Sequence, residues 1–210
     1  MQDVLIKIFL AYAIGSVMGS QIAGWLKGVD IRTVGSGNAG STNALRTQGR
    51  GFALLVLVID VGKGALAAGW IPTLPLIAGA TVPPYWLAYV CAGAAVLGHV
   101  YPLFYGFRGG KGAATLVGTL LVFDPILVLP LLGVFILTII ITGYVGLATM
   151  VTADTAPFLI LAVYWLDRVP LLIYAFIMSG VIIFTHRSNI MRMIDGTESR
   201  NTRLMLLRRQ

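Results

Sequence analysis

Charge is scarce in this chain: Asp, Glu, Lys and Arg make up 11% of its 210 residues, where a soluble globular domain carries about 25%. With 58% of the residues hydrophobic, that shortage excludes a soluble domain and points to a polytopic membrane protein. Cysteine is nearly absent too. The single Cys91 lies inside an apolar run, which rules out an intramolecular disulfide and argues against a thiolate metal site. Carboxylates are also few, eight against fifteen Lys and Arg. A net charge of +7 could suit a nucleic-acid binder, but the basic residues fall in short segments between apolar runs and at the C-terminus. Such charges orient a membrane protein more readily than they grip a duplex, so no nucleic acid is expected as a partner.

A helix needs about 20 apolar residues to cross the hydrocarbon layer of a bilayer. That length picks out residues 4–26, 52–70, 85–101, 126–142, 145–166 and 170–185, with a shorter apolar piece at 113–123. The first run is too long for a signal peptide, carries Asp3 and Lys7 at its start, and is followed by no clean cleavage site. Four prolines break the chain at "IPTLPLIAGATVPP", residues 71–84. Lys and Arg gather in 27–50, in 102–112 and after 185, and the positive-inside rule puts all three on the cytoplasmic side. The expected fold is an all-α bundle of about seven transmembrane helices, six if 113–123 is re-entrant, with the N-terminus outside and the C-terminus cytoplasmic. Residues 1–210 read as one membrane domain with a basic tail from about 199. Gly15 and Gly19, four apart in "GSVMG", have the spacing that lets helix backbones touch.

Three stretches on the basic side are not explained by packing: "GSGNAGSTNALR" (35–46), "GHVYPLFYGFRGGKGAAT" (98–115) and "THRSNIMRMIDGTE" (185–198). Each supplies hydrogen-bond donors and few acceptors. In the first, Gly35, Gly37 and Gly40 free the backbone amides to turn toward an anion, Ser36, Asn38, Ser41, Thr42 and Asn43 add short polar groups, and Arg46 adds a bidentate cation. In the second, Gly109, Gly110 and Gly112 form a hinge carrying Arg108 and Lys111 at the start of a helix, whose first amides favour an anion. His186, Arg187, Asn189 and Arg192 complete the set. These residue types in this pattern suit phosphate, and more than one phosphate.

The obvious phosphate ligand is a nucleotide, and it fits poorly. Residues 35–40 match G-x-G-x-x-G, but both flanks look like membrane, and the carboxylate at the ribose distance, Asp60, lies inside an apolar run. Ser41 stands where a P-loop needs lysine, while Lys111 is followed by Gly112 where serine or threonine belongs. No metal and no cofactor are expected, since Asp195 and Glu198 are the only carboxylates of the three stretches. His99 is expected in a hydrogen-bonding role, and His186 as either a phosphate ligand or a general base. Asp60 and Lys63, three apart in a span, should pair or face the site. A thioester-type H-x-x-x-x-D dyad is missing, because Phe104 and Met191 stand five residues after the two histidines. An anion or phospholipid transporter is disfavoured because the donor-rich loops share one face and no internal repeat is visible.

The three stretches resemble the motifs of the bacterial integral-membrane acyl-phosphate:glycerol-3-phosphate acyltransferases, the PlsY family. Its pattern runs G-S-G-N-x-G-x-T-N-x-x-R, then G-H-x-x-P-x-F-x-x-F-[KR]-G-G-K-G, then H-R-x-N-I-x-R-x-x-x-G-x-E. Residues 35–46, 98–112 and 186–198 fit it almost position for position and in the same order. The resemblance implies transfer of a fatty acyl group from acyl phosphate to the 1-hydroxyl of sn-glycerol 3-phosphate, at the cytoplasmic face of a bacterial inner membrane, among membrane lipids. It implies that Ser36, Arg46, Lys111, His186 and Asn189 bind the two substrates, with the other residues of the three stretches lining them. Asp60, Lys63, His99 and Glu198 would be structural supports, Glu198 bracing an arginine. Arg108 departs from the lysine that many members carry, and the tail carries none of the pattern. Two ways of activating the hydroxyl stay open: the acyl phosphate's own oxygen takes the proton, or His186 does.

Overall fold

The computed structural model describes residues 2–75, 85–202 and 205. The proline-rich turn beyond residue 75 and the tail's Arg203, Arg208 and Arg209 lie outside the described residues. Two compact units divide the chain, Met1–Phe123 and Asp124–Gln210. The first holds α1 (Gln2–Gly15), α2 (Gly19–Lys27), α3 (Ser41–Gln48), α4 (Arg50–Gly69), α5 (Trp86–Val100) and α6 (Ala113–Phe123). The second holds α7 (Pro125–Thr142), α8 (Val145–Tyr164), α9 (Val169–Thr185) and α10 (Arg187–Ile194). No strand occurs among the described residues.

Five stretches are long and apolar enough to cross a membrane: Gln2–Lys27, Arg50–Thr73, Trp86–Tyr105, Pro125–Thr142 and Val145–Tyr164. A sixth appears if α9 is counted with α10, from which it bends by 51°. Of the expected seven or so, five or six pass by length and composition alone. The difference at the fourth apolar piece is physical, since the 11 residues of α6 reach about 16 Å against a hydrocarbon layer of roughly 30 Å.

Inside a bilayer, helices gain little from burying apolar surface and associate through close backbone approach. The first unit does this twice, each time with a glycine on both helices. A Cβ on Gly15 would collide with the Ala95 carbonyl of α5, and one on Gly98 with the Tyr12 carbonyl of α1. Between α4 and α6, Gly64 meets the Thr115 carbonyl and Gly118 meets the Val61 carbonyl in the same reciprocal way. Such seams admit weak Cα–H···O contacts that a side chain would abolish. Gly19 packs separately, against Val56 of α4.

The expected first span is one helix, but the backbone leaves the helical region at Met18 (φ −99°, ψ 119°), separating α1 from α2. A break at membrane depth exposes backbone polar groups that lipid cannot satisfy. Here α4 satisfies them: Lys63 Nζ donates to the Val17 carbonyl at 2.7 Å, and the Gly19 N–H donates to Asp60 Oδ1 at 3.2 Å. Asp60 and Lys63 also pair directly at 2.9 Å, and both are buried.

A second ion pair shapes the loop leaving α2. Asp30 caps the turn Ile31–Thr33 by accepting the Arg32 N–H, takes the Arg32 guanidinium at 2.7 Å, and accepts from Gln21 Nε2 at 3.0 Å. The Arg32 hydrogen bonds hold the Asp30 carboxyl far below the usual carboxylate range, against the opposing effect of burial, and raise the guanidinium in turn.

In the second unit α8 packs against both α7 and α9. The turn between α7 and α8 uses Gly143 in the left-handed region (φ 76°). The start of the tail is tied to that turn and is more than a loose basic surface segment. Arg200 Nε donates to the Thr142 carbonyl at 3.2 Å and stacks on Tyr144, while the Asn201 N–H donates to the Gly143 carbonyl at 2.8 Å.

Gly118→Val should force α4 and α6 apart at a cost of about 1–3 kcal/mol, lowering the unfolding midpoint in detergent by roughly 3–10 °C. Gly133→Val, in α7 with open space at its Cβ, serves as the control and should leave the midpoint nearly unchanged.

The Asp30–Arg32 pair is partly exposed, which limits its worth to about 1 kcal/mol or less. Because the folded carboxyl is depressed, this stability is present above the unfolded value of about 4 and disappears as the pH falls below it. The midpoint gap between wild type and Asp30→Asn should therefore stay constant from about pH 8 to 5 and close below about pH 4. A gap that instead changes between pH 6 and 8 would contradict this assignment.

Candidate active site

The first loop is organised by one buried side chain. Asn43, 2% exposed, accepts the Ser36 N–H at 3.0 Å and directs its own amide at the carbonyls of Ile31, Val34 and Asn38, at 2.9, 3.0 and 3.0 Å. Its carboxamide is thus committed to the loop backbone, a scaffolding task that the donor-counting reading of the sequence did not separate from anion contact. Gly35 (φ 61°) and Gly37 (φ 71°) turn through the left-handed region on either side of Ser36, which only glycine does without strain. The result displays Gly35, Ser36 and Gly37 on the surface, with Asn38 and Gly40 partly buried behind them.

Helix α3 starts immediately after, with Gly40 as its N-cap. The Ala44 N–H is the first to bond within the helix, to the Gly40 carbonyl. The amides of Ser41, Thr42 and Asn43 precede that first bond and form a set of backbone donors at the positive end of the helix dipole. Arg46, one turn further, is exposed and has no ion-pair partner among the described residues.

The second loop runs from the end of α5 to α6. A turn at Leu103–Tyr105 is followed by Gly106 (φ 63°) and Phe107 (φ 58°), both left-handed. A bulky residue in that region is strained, and nothing in the sequence signals it. Arg32 lies over the Tyr105 ring at 5.8 Å, so the capped turn after α2 leans on this second loop. Gly109 and Gly110 donate to the Val100 and His99 carbonyls at 3.2 and 3.1 Å, folding the loop back onto α5. Arg108 stands exposed and Lys111 partly buried, and Gly112 (φ 87°) leads into α6, whose ladder begins with the Leu116 N–H bonded to the Gly112 carbonyl. His99 is buried under this loop beside the Asp60–Lys63 pair, with Nδ1 2.7 Å from Lys63 Nζ.

The third stretch is the corner between α9 and α10. His186 sits at the junction, buried, with its Nδ1 2.8 Å from the Ile182 carbonyl. A carbonyl only accepts, so Nδ1 carries a proton, and in the neutral ring Nε2 is the acceptor. Asn189 is buried against Gly146 of α8, where a Cβ would collide with its carboxamide. Glu198 braces this corner, accepting from Asn189 Nδ2 at 2.8 Å and from Arg192 Nε at 2.6 Å. The chain returns for this purpose through Gly196 (φ 69°), with the Thr197 and Glu198 amides on the Arg192 carbonyl. Arg187 is folded back onto the Phe184 carbonyl and ring.

Two loops in the first unit and one corner in the second therefore carry the residues singled out by the sequence. Asp30, Arg32, Tyr105 and Gly146 join them as supports that it did not single out. A short Asp-x-Arg before a turn is a visible capping signal, whereas the packing of Gly146 on Asn189 leaves no local trace. Among the described residues no three His, Cys or carboxylate side chains gather as metal ligands.

Residues 5–196 match the model of the glycerol-3-phosphate acyltransferase family. The chain is 40% identical over 219 residues to a glycerol-3-phosphate acyltransferase of Chlorobaculum tepidum, covering 92% of this chain and 94% of that one. It is 40% identical over 190 residues to glycerol-3-phosphate acyltransferase 2 of Bacillus cereus, covering 90% of each. Among solved structures it is similar to PlsY (YgiH), an integral membrane glycerol 3-phosphate acyltransferase, in its glycerol 3-phosphate form, with a TM-score of 0.80 and 32% identity over 94% of each chain. The lysophosphatidic acid form of that protein gives a TM-score of 0.79 at 33% identity. With its three donor-rich stretches, its membrane-length helices and these relatives, the chain belongs to the glycerol-3-phosphate acyltransferase family of integral membrane enzymes.

Proposed function

We propose that this protein transfers a fatty acyl group from acyl phosphate to the 1-hydroxyl of sn-glycerol 3-phosphate, giving lysophosphatidate and inorganic phosphate. The observation that carries the reading is the surplus of phosphate donors: two separate glycine-built loops and a histidine–asparagine corner, where one substrate phosphate would need only one. The glycerol 3-phosphate and lysophosphatidic acid forms of the similar PlsY structure support the acceptor and the product. An acyl phosphate donor accounts for the further phosphate site and for a leaving group that needs no strong protein acid.

In this reaction the hydroxyl oxygen attacks the acyl carbonyl carbon, the bond from that carbon to the phosphate oxygen breaks, and phosphate departs with the hydroxyl proton. Ser36, Arg46, Lys111, His186 and Asn189 are the residues assigned to the substrates. The amides and short side chains of 35–43, with Arg108 to Gly112, Arg187 and Arg192, supply further phosphate donors. Lys111 stabilises the charge growing on the carbonyl oxygen and the departing phosphate. His186, with Nε2 as acceptor, receives a hydrogen bond from the attacking hydroxyl and orients it. The phosphate oxygen, already at the reacting centre, is assigned as the final proton acceptor, with His186 as the base the alternative. No metal or cofactor takes part in these steps. Seven crossings complete the proposal, the short α6 being one of them where the layer thins locally to meet it, with the N-terminus outside and the basic loops at the cytoplasmic face of a bacterial inner membrane, on the strength of where Lys and Arg gather.

Purified protein given palmitoyl phosphate and glycerol 3-phosphate, without nucleotide or added metal, should form lysophosphatidate and release phosphate, while palmitoyl-CoA in a parallel reaction should not serve. Turnover with the CoA thioester alone would overturn the donor. His186→Gln should raise KM for glycerol 3-phosphate about tenfold while kcat falls only about threefold. A loss of kcat beyond about a thousandfold would return the base role to His186.

A further inference from the structure

Beneath the second loop lies a buried polar chain with no part in the acyl transfer itself. Lys63 Nζ stands 2.7 Å from His99 Nδ1, 2.9 Å from Asp60 Oδ1 and 2.7 Å from the Val17 carbonyl. An ammonium has three protons and no lone pair, so these acceptors use it completely and His99 Nδ1 must be one of them. The ring's own proton is then on Nε2. That Nε2 edge faces Gly110: the three atoms nearest a Cβ there are Nε2, Cε1 and Cδ2 of His99, all at 3.1 Å or less. Gly110 is not in the left-handed region, so the ring is what a side chain there would meet first. The same residue holds the loop from its backbone, the His99 carbonyl accepting the Gly110 N–H at 3.1 Å. Lys111 is the next residue along.

We propose that His99, locked in place by the Asp60–Lys63 pair, is a positioning residue that sets the height of the Gly109–Lys111 backbone and thereby where the Lys111 ammonium stands. The inference rests on the role given to Lys111 in the proposed reaction. A loop resting on an imidazole edge has one seating. A ring turned by loss of its Lys63 bond, or a methyl group inserted under Gly110, lifts it. The effect falls on kcat, because the misplaced group is the one that meets charge in the transition state, and displacement of about 1 Å is enough to cost large factors.

The test compares His99→Ala, Gly110→Ala and the double variant, by steady-state kinetics and by amide hydrogen exchange in the same detergent. Gly110→Ala is the conservative member and keeps every bond of the Asp60–Lys63 pair. Each single variant should lower kcat about tenfold or more with KM for glycerol 3-phosphate within about threefold. Exchange at residues 106–112 should quicken while α4 and α5 stay protected. In the double variant the alanine methyl occupies space vacated by the ring, so kcat should recover at least about threefold over either single variant. Singles whose losses multiply in the double variant, or unchanged exchange at 106–112, would overturn the proposal. If wild type fails to use acyl phosphate, the reaction reading falls while the exchange measurement still decides the positioning.

Discussion

The first unit depends on one ammonium group buried within a membrane-length helix. A break between α1 and α2 would leave backbone polar groups in an environment without water, at several kcal/mol for each unsatisfied group. Lys63 and Asp60 meet those groups from α4 and, through His99, extend the same chain of bonds to α5 and the loop above it. A buried ion pair is seldom retained for stability alone, because its desolvation offsets its attraction. Here the pair ties three helices and a loop together. The charge is tolerated because every proton of Lys63 has an acceptor.

The same economy governs three of the acids around the donor-rich stretches. Asp30 is neutralised by Arg32, Asp60 by Lys63 and Glu198 by Arg192. Each of these carboxylates organises backbone or side chains and is matched by a cation, so none repels a phosphate. Arg46 and Arg108 keep their charge exposed on the surface, and the helix ends at Ser41 and Ala113 add backbone amides. Anion binding of this kind comes from preorganised donors in a partly dehydrated setting, where they count for more than in water.

Much of this was legible in the sequence. The apolar runs located the spans to within a few residues, because a bilayer imposes its thickness on helix length. The glycine-rich and basic stretches stood out because nothing in a membrane core requires them, and three motifs in fixed order carried the family. What escaped was the break at Met18, whose apolar neighbours read as continuous helix, and the division of labour within the first loop. Counting donors cannot show that Asn43 faces its own backbone. The seam between α4 and α6 also stayed hidden, since Gly64 and Gly118 lie in separate runs and only the fold brings them together. The tie of Arg200 and Asn201 to the turn between α7 and α8 left no trace either, because that turn is distant in the sequence.

In the proposed reaction phosphate is both the handle by which the donor is held and the group that leaves. That is tested most directly with palmitoyl phosphate carrying a heavy-oxygen label in the oxygen that bridges carbonyl and phosphorus. After turnover with unlabelled glycerol 3-phosphate, mass spectrometry should find the label in the released phosphate and none in the lysophosphatidate. Label in the lipid, with unlabelled phosphate, would mean that the bond to phosphorus had broken instead, and would contradict acyl transfer by attack at the carbonyl.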